Sequence, residues 1–174
     1  KLSTLKPAFD KHSGKGTLTA GNSTNLSDGA SVALLSSEQW AADNNKEIQA
    51  YLVDAQVAAV DFVGGDGLLM APAWAVAQLL KRNNLSLQDF DFYEIHEAFA
   101  AQVLCTLKAW ESEEFCKEKL GMDAALGSID RSKLNVVGSS LALGHPFAAT
   151  GARIVATAAK LLKEKGQGRV LISI

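Results

Sequence analysis

Three histidines and two cysteines are the side chains of this 174-residue sequence best suited to proton transfer, nucleophilic attack or metal binding. Two of the histidines fall where a strand pattern gives way to a helix pattern. His96 follows Phe92-Tyr93-Glu94-Ile95, and His145 lies within Leu143-Gly144-His145-Pro146. They are far apart along the chain, so only the fold could bring them together. Gly144 permits close approach of another backbone, and Pro146 drives His145 toward extended geometry, so this imidazole is presented by a loop. Downstream, Thr150-Gly151 opens a helix pattern whose N-terminus favours an anion, a thiolate or a neutral imidazole nearby. A histidine that deprotonates a cysteine needs such a setting, with a pKa near the working pH.

Each feature also has a plainer reading. A lone Gly-His-Pro is more often a surface loop than a catalytic centre. His96, at the expected start of a helix, fits a capping or core histidine with satisfied nitrogens, and Glu97 fits a residue that complements the helix dipole. Cys105 reads as a packed apolar side chain on that helix, and Cys116 as a bystander in a polar connection. Two isolated cysteines make no disulfide framework and suit a reducing cytoplasm. His12 has no supporting neighbours, and no His or Cys spacing matches a metal site. Gly64-Gly65-Asp66-Gly67 lacks the Lys-Ser/Thr of a phosphate-binding loop and reads as a turn.

The elements that must position these residues follow from periodicity. Short strands are expected at residues 17–20, 31–35 and 134–137, a longer one over 50–62, and others at 90–95 and 169–174. Residues 21–30 form a turn-rich loop with potential contacts. Ser37 is placed to cap a helix running to about Asn44. Apolar spacing predicts helices over 71–82, 98–110 and 151–165, the last ended by Gly166. Residues 111–133 form a polar connection with some helix of its own, and 138–145 a glycine-punctuated loop. Strands alternating with helices predict an α/β fold, a sheet covered by helices on both faces, with sites at strand ends.

The bulk composition excludes several classes. With 48% hydrophobic residues, 21% charged and a formal net charge of −2, the chain is of the ordinary globular kind, and nothing basic invites nucleic acid. Apolar stretches such as 71–80 are too short to span a bilayer, and no charged-then-apolar leader opens the chain. A soluble, cytoplasmic protein is expected.

Three segments, in order, carry a resemblance: Thr19-Ala20-Gly21-Asn22-Ser23-Thr24 with Asp28-Gly29-Ala30, then Glu94-Ile95-His96-Glu97-Ala98-Phe99-Ala100, then Gly144-His145-Pro146 with Thr150-Gly151. Together they resemble the thiolase family over essentially the whole chain. The His-Glu-Ala-Phe form, where many members have Asn, is similar to a branch acting on long-chain 3-ketoacyl-CoA. The resemblance implies a thiolase-like mixed sheet within a layered α-β-α-β-α architecture. It assigns residues 1–37 to the end of the N-terminal half and 38–174 to a C-terminal half lacking its final strands.

The resemblance also implies an activity: acyl exchange between coenzyme A thioesters, by cleavage of 3-ketoacyl-CoA or condensation of two acetyl-CoA, through an acyl-cysteine. His145 would activate the nucleophilic cysteine and help hold the substrate thioester oxygen. His96 would position a water completing that oxyanion hole. Phe99 would line the acyl or pantetheine pocket, with Ala20 and Thr24 along the pantetheine arm. Coenzyme A or acyl-CoA would be substrate, with no permanently bound cofactor and no metal. The complete protein would be a homodimer or homotetramer, with or without a fatty-acid oxidation partner subunit.

The family's two reactive cysteines, one acylated and one in a Cys-x-Gly turn, have no counterpart in these residues. Thr24 stands where Ser is usual, and Ala148 where Gly is common. Two rival readings remain open: a non-catalytic acyl-CoA-binding or assembly module with the same fold, and a relative of the ketoacyl synthases, against which the His-Glu-Ala-Phe segment argues.

Overall fold

The computed structural model describes residues 1–174. Its sheet is formed by two parallel strands, β1 (Phe92–Ile95) and β2 (Val170–Ser173), with Phe92 opposite Val170 and Ile95 opposite Ser173. Two helices precede the sheet, α1 (Glu38–Asp43) and α2 (Ala71–Asn83). Four lie between its strands: α3 (Ala100–Glu111), α4 (Glu113–Glu118), α5 (Ser140–Leu143) and α6 (Phe147–Lys165). Parallel neighbours need a long crossover, and this one carries both histidines.

Alternation along the strands decides what each face buries. Tyr93, Ile95 and Leu171 share one face and join Val76 and Leu80 of α2 and Leu107 and Trp110 of α3 in a single core. Trp110 is fully buried there, and its loss would cost roughly 3–5 kcal/mol. Glu94 and Ile172 alternate to the other face, against which α6 packs with Ile154, Ala158 and Leu161 buried at helical spacing. The expected α/β sheet with helices on both faces is therefore present. Its ladder is parallel, and the antiparallel pairings are isolated bridges, Pro7 with Thr19 and Ser23 with Phe99.

The helix caps follow local chemistry. Ser37 accepts the backbone N–H of Trp40 at 3.2 Å. Asn84 ends α2 in the left-handed region at φ 52°, and Gly166 ends α6 at φ 89°.

Several expected elements are absent or displaced. Residues 31–35 and 50–62 form no strands and lie largely exposed, with Val32 and Val57 each 87% accessible. Their apolar runs carry strand propensity, but a strand also needs a neighbour to complete its ladder, and neither segment pairs with another part of these residues. The strand expected at 17–20 reduces to the Pro7–Thr19 bridge. That at 134–137 reduces to a parallel bridge from Leu134 to Tyr93, broken by Asn135 at φ 48°. Helix α6 starts at Phe147 and not at Gly151, because Pro146 supplies a fixed φ just ahead of the first turn. Helix α3 starts at Ala100, and the 138–145 loop contains the short α5. No helix is long and apolar enough to cross a membrane.

Candidate active site

His96 lies at the end of β1 and not at a helix start. Its backbone N–H donates to Ser173 O at 2.8 Å, continuing the ladder one residue beyond the strand. The side chain is therefore fixed by the sheet, and it is buried. His145 is held by a different device. Gly144 adopts φ 92°, and a side chain there would collide with Ser27. Ser27 Oγ in turn accepts the His145 backbone N–H at 3.1 Å. Gly29 leaves no room for a Cβ beside Pro146, at 2.7 Å from its Cγ. The turn-rich loop 21–30 is thus moulded against Gly-His-Pro.

These two supports bring the imidazoles together. Their ring centroids are 4.2 Å apart with planes inclined at 52°. The ring of Phe147 also lies against His145, its centroid 4.7 Å away. Burial pushes the His96 pKa down to about 4, helped by the neighbouring His145 and Arg153, so the ring is neutral near pH 7. His145 is shifted downward too, by desolvation first and by Arg153 second.

Hydrogen bonds distinguish the two rings. His145 Nδ1 is 2.8 Å from Thr150 Oγ1, and the Thr150 hydroxyl donates to Pro146 O at 3.3 Å. With its own proton directed at that carbonyl, Thr150 can accept from His145 Nδ1–H, an arrangement that would leave Nε2 with a free lone pair. That is the tautomer a general base requires. His96 Nδ1 instead meets Ser140 Oγ at 2.8 Å.

Glu97 does not serve a helix dipole at α3. Its carboxylate accepts Asn135 Nδ2 at 2.7 Å and the backbone N–H of Leu141 at 3.2 Å, tying β1 to the start of α5. The other expected site residues approach by backbone. Thr24 N–H donates to Ala98 O and Ala100 N–H to Asn22 O, each at 3.0 Å, which lays residues 22–24 alongside Phe99. The half-buried Phe99 ring meets Phe9 edge-on at 5.9 Å. Ala20 is exposed in the turn following Thr19.

Cys105 is exposed and not packed, whereas Cys116 is fully buried with Sγ 3.5 Å from Ala109 O and Trp110 O. No three His, Cys, Asp or Glu residues gather as a metal site.

Sequence reasoning missed Ser140, Arg153, Asn135 and Phe147. Arg153 was the most readable of them. It is a lone cation within the apolar first turns of α6, three residues on from Thr150 and only partly exposed. Asn135 could not be seen, because its side chain takes the place of strand backbone that the sequence pattern assigned to residues 134–137.

A fold that places two imidazoles side by side at the mouths of strand-to-helix loops is of a kind that handles protons and developing negative charge. Comparison with known proteins resolves its family. Residues 46–174 match the model of the thiolase C-terminal domain, and residues 1–39 that of the thiolase N-terminal domain. The chain belongs to the thiolase family. It is 47% identical over 98% of its length to a probable 3-ketoacyl-CoA thiolase of Caenorhabditis elegans, of which it covers 38%. An acetyl-CoA acetyltransferase of Bacillus anthracis superposes with TM-score 0.76 at 38% identity, covering 98% of this chain and 38% of that one. The human mitochondrial 3-ketoacyl-CoA thiolase in complex with CoA gives 0.75 at 30% identity, over 98% of this chain and 38% of that one. The chain thus spans well under half the length of these relatives.

Proposed function

We propose that the complete protein is a thiolase-type acyltransferase that exchanges acyl groups between coenzyme A thioesters through an acyl-cysteine, cleaving 3-ketoacyl-CoA or joining two acetyl-CoA. The observation that carries this reading is the pair of imidazoles 4.2 Å apart with different hydrogen-bond partners on their Nδ1 atoms. His145, with Nε2 free, takes the proton of the nucleophilic cysteine, and as imidazolium it then donates to the substrate thioester oxygen. His96 holds a water against the same oxygen. Developing enolate charge is the costly part of this chemistry, and removing one such donor typically costs ~2.7–4 kcal/mol.

In this reading both reactive cysteines come from outside the 174 residues. Phe99 lines the acyl or pantetheine pocket, and Ala20 and Thr24 lie along the pantetheine arm. Residues 1–37 close an N-terminal half and 38–174 belong to a C-terminal half. Coenzyme A enters as substrate and no cofactor stays bound. The protein works in the cytoplasm as a homodimer or homotetramer, with or without a fatty-acid oxidation partner subunit.

The test is thiolysis of acetoacetyl-CoA by CoA with the complete protein. Ping-pong kinetics are expected, as for any covalent acyl-enzyme. His145→Ala should lower turnover by several orders of magnitude. Undiminished turnover in that variant would remove the assigned role. Acyl-CoA binding without any turnover in the unmodified protein would favour the assembly-module reading instead.

A further inference from the structure

Behind His96 lies a polar chain that the proposed chemistry does not use. Arg153, on the second turn of α6, donates through an NH2 group to Ser140 Oγ at 2.9 Å, and Ser140 Oγ is 2.8 Å from His96 Nδ1. Ser140 is fully buried, and its Oγ makes no other hydrogen bond. A guanidinium can only donate, so the Ser140 oxygen accepts from Arg153. Its hydroxyl proton then has one acceptor within reach, the lone pair of His96 Nδ1. Were His96 Nδ1 protonated, Ser140 would accept twice and its own proton would be buried without a partner, which is unfavourable. The direction of the whole chain is thereby set by the one group in it that cannot accept.

We propose that Ser140 and Arg153 are positioning residues that hold His96 in the Nε2–H tautomer, making its Nε2–H a standing hydrogen-bond donor beside His145. This rests on the reading that His96 serves an oxyanion hole, and it explains how one ring there donates while its neighbour accepts. The two imidazoles are wired in opposite senses: Arg153 to Ser140 to His96 on one side, His145 to Thr150 to Pro146 O on the other. Arg153 itself remains partly unsatisfied, with its other terminal nitrogen buried and unpartnered. The charged and titratable groups that bear on the His96 ring are His145 and Arg153, with Glu94 and Glu97 flanking it along the chain. The carboxylate of Glu97 is occupied by Asn135 and Leu141, so it does not compete for the ring.

The test uses the complete protein labelled with 15N-histidine. His96 signals, assigned by their absence in His96→Gln, should report a protonated Nε2 and a bare Nδ1 from about pH 6 to about pH 8. A protonated Nδ1, or an average of both tautomers, overturns the proposal. Ser140→Ala should give mixed tautomers and lower kcat roughly tenfold to hundredfold with KM little changed, a smaller loss than removal of an oxyanion donor itself. Arg153→Met should move the acid limb of the kcat profile to higher pH, since it lifts a positive charge from both imidazoles. A merely structural role for Arg153 would leave that limb in place. Full kcat in Ser140→Ala together with an unmoved limb in Arg153→Met overturns the inference while leaving the thiolase reading intact. Full kcat in His96→Gln would instead sink the role assigned to His96 itself.

Discussion

At the scale of single residues, the site depends on which proton each small hydroxyl gives away. Thr150 is the cleanest case, because its methyl and hydroxyl are both buried against the His145 loop. Thr150→Val keeps the shape and removes the acceptor for Nδ1–H. Thiolysis kcat should fall at least tenfold, and Thr150→Ser should restore most of it, as measured by initial rates with acetoacetyl-CoA. Glu94 provides a second residue-level expectation. It is fully buried on the α6 face, its carboxylate oxygens have no hydrogen-bond partner, and burial pushes its pKa up to about 7 despite the opposing field of Arg153. An acid whose folded pKa is raised stabilises the fold at low pH, and loses that contribution as pH climbs from the unfolded value of 4.5 through about 7. Glu94→Gln mimics the protonated acid and should therefore raise the unfolding midpoint far more at pH 8 than at pH 5. The gain at the higher pH should approach about 3 kcal/mol. His96 acts with opposite sign, since its depressed pKa of about 4 removes stability as pH falls from 6.5. The histidines themselves were legible in the sequence because Gly-His-Pro and His-Glu-Ala-Phe are unusual strings. Their wiring was not, since Ser140 and Arg153 reach His96 only through the packing of α5 and α6 on β1.

At the scale of elements, the edge of β1 is completed by a side chain. Asn135 donates its backbone N–H to Tyr93 O at 2.8 Å, accepts from Ile95 N–H at 2.9 Å, and gives its amide protons to Ile95 O and Glu97. It does so from φ 48°, a conformation asparagine tolerates and most residues do not. Asn135→Ala should cost roughly 2–4 kcal/mol in chemical denaturation, from the lost bonds and the partners left unsatisfied. Asn135→Gly removes the backbone strain but none of that loss, so it should rescue little. A full rescue by glycine would mean that the conformation and not the amide matters. Helices were easier to read than strands for a physical reason. The 71–82 and 151–165 patterns satisfy their own backbone groups, so propensity and period suffice. The 31–35 and 50–62 segments have the right residues but need a partner strand, and sequence pattern carries no information about whether one is present.

For the molecule as a whole, that shortage of partners leaves much apolar surface uncovered. Leu26 is fully accessible, and Val32, Val53, Val57 and Val63 are each more than four-fifths so. Contiguous exposure of this kind drives association. The isolated 174-residue chain should therefore elute from size exclusion as oligomers or aggregate and bind a hydrophobic dye strongly. A sharp monomer peak with weak dye binding would show that these segments rearrange to cover one another. The α/β class was readable from the chain alone, whereas the expected alternation of strand with helix holds only for the two strands β1 and β2. The extent of the sheet was not, because it is a property of which segments meet.

The seating of Gly-His-Pro against loop 21–30 has a consequence for shuffling family members. Ser27 and Gly29 fall within the stretch matching one family domain, while Gly144 and Pro146 fall within the other. A chimera that imports its first 39 residues from a cousin will seat His145 properly only if the graft brings a side chain no bulkier than serine at 27 and none at 29. Recombination across this boundary is limited by close contact at two glycines, whatever the overall likeness of the donors.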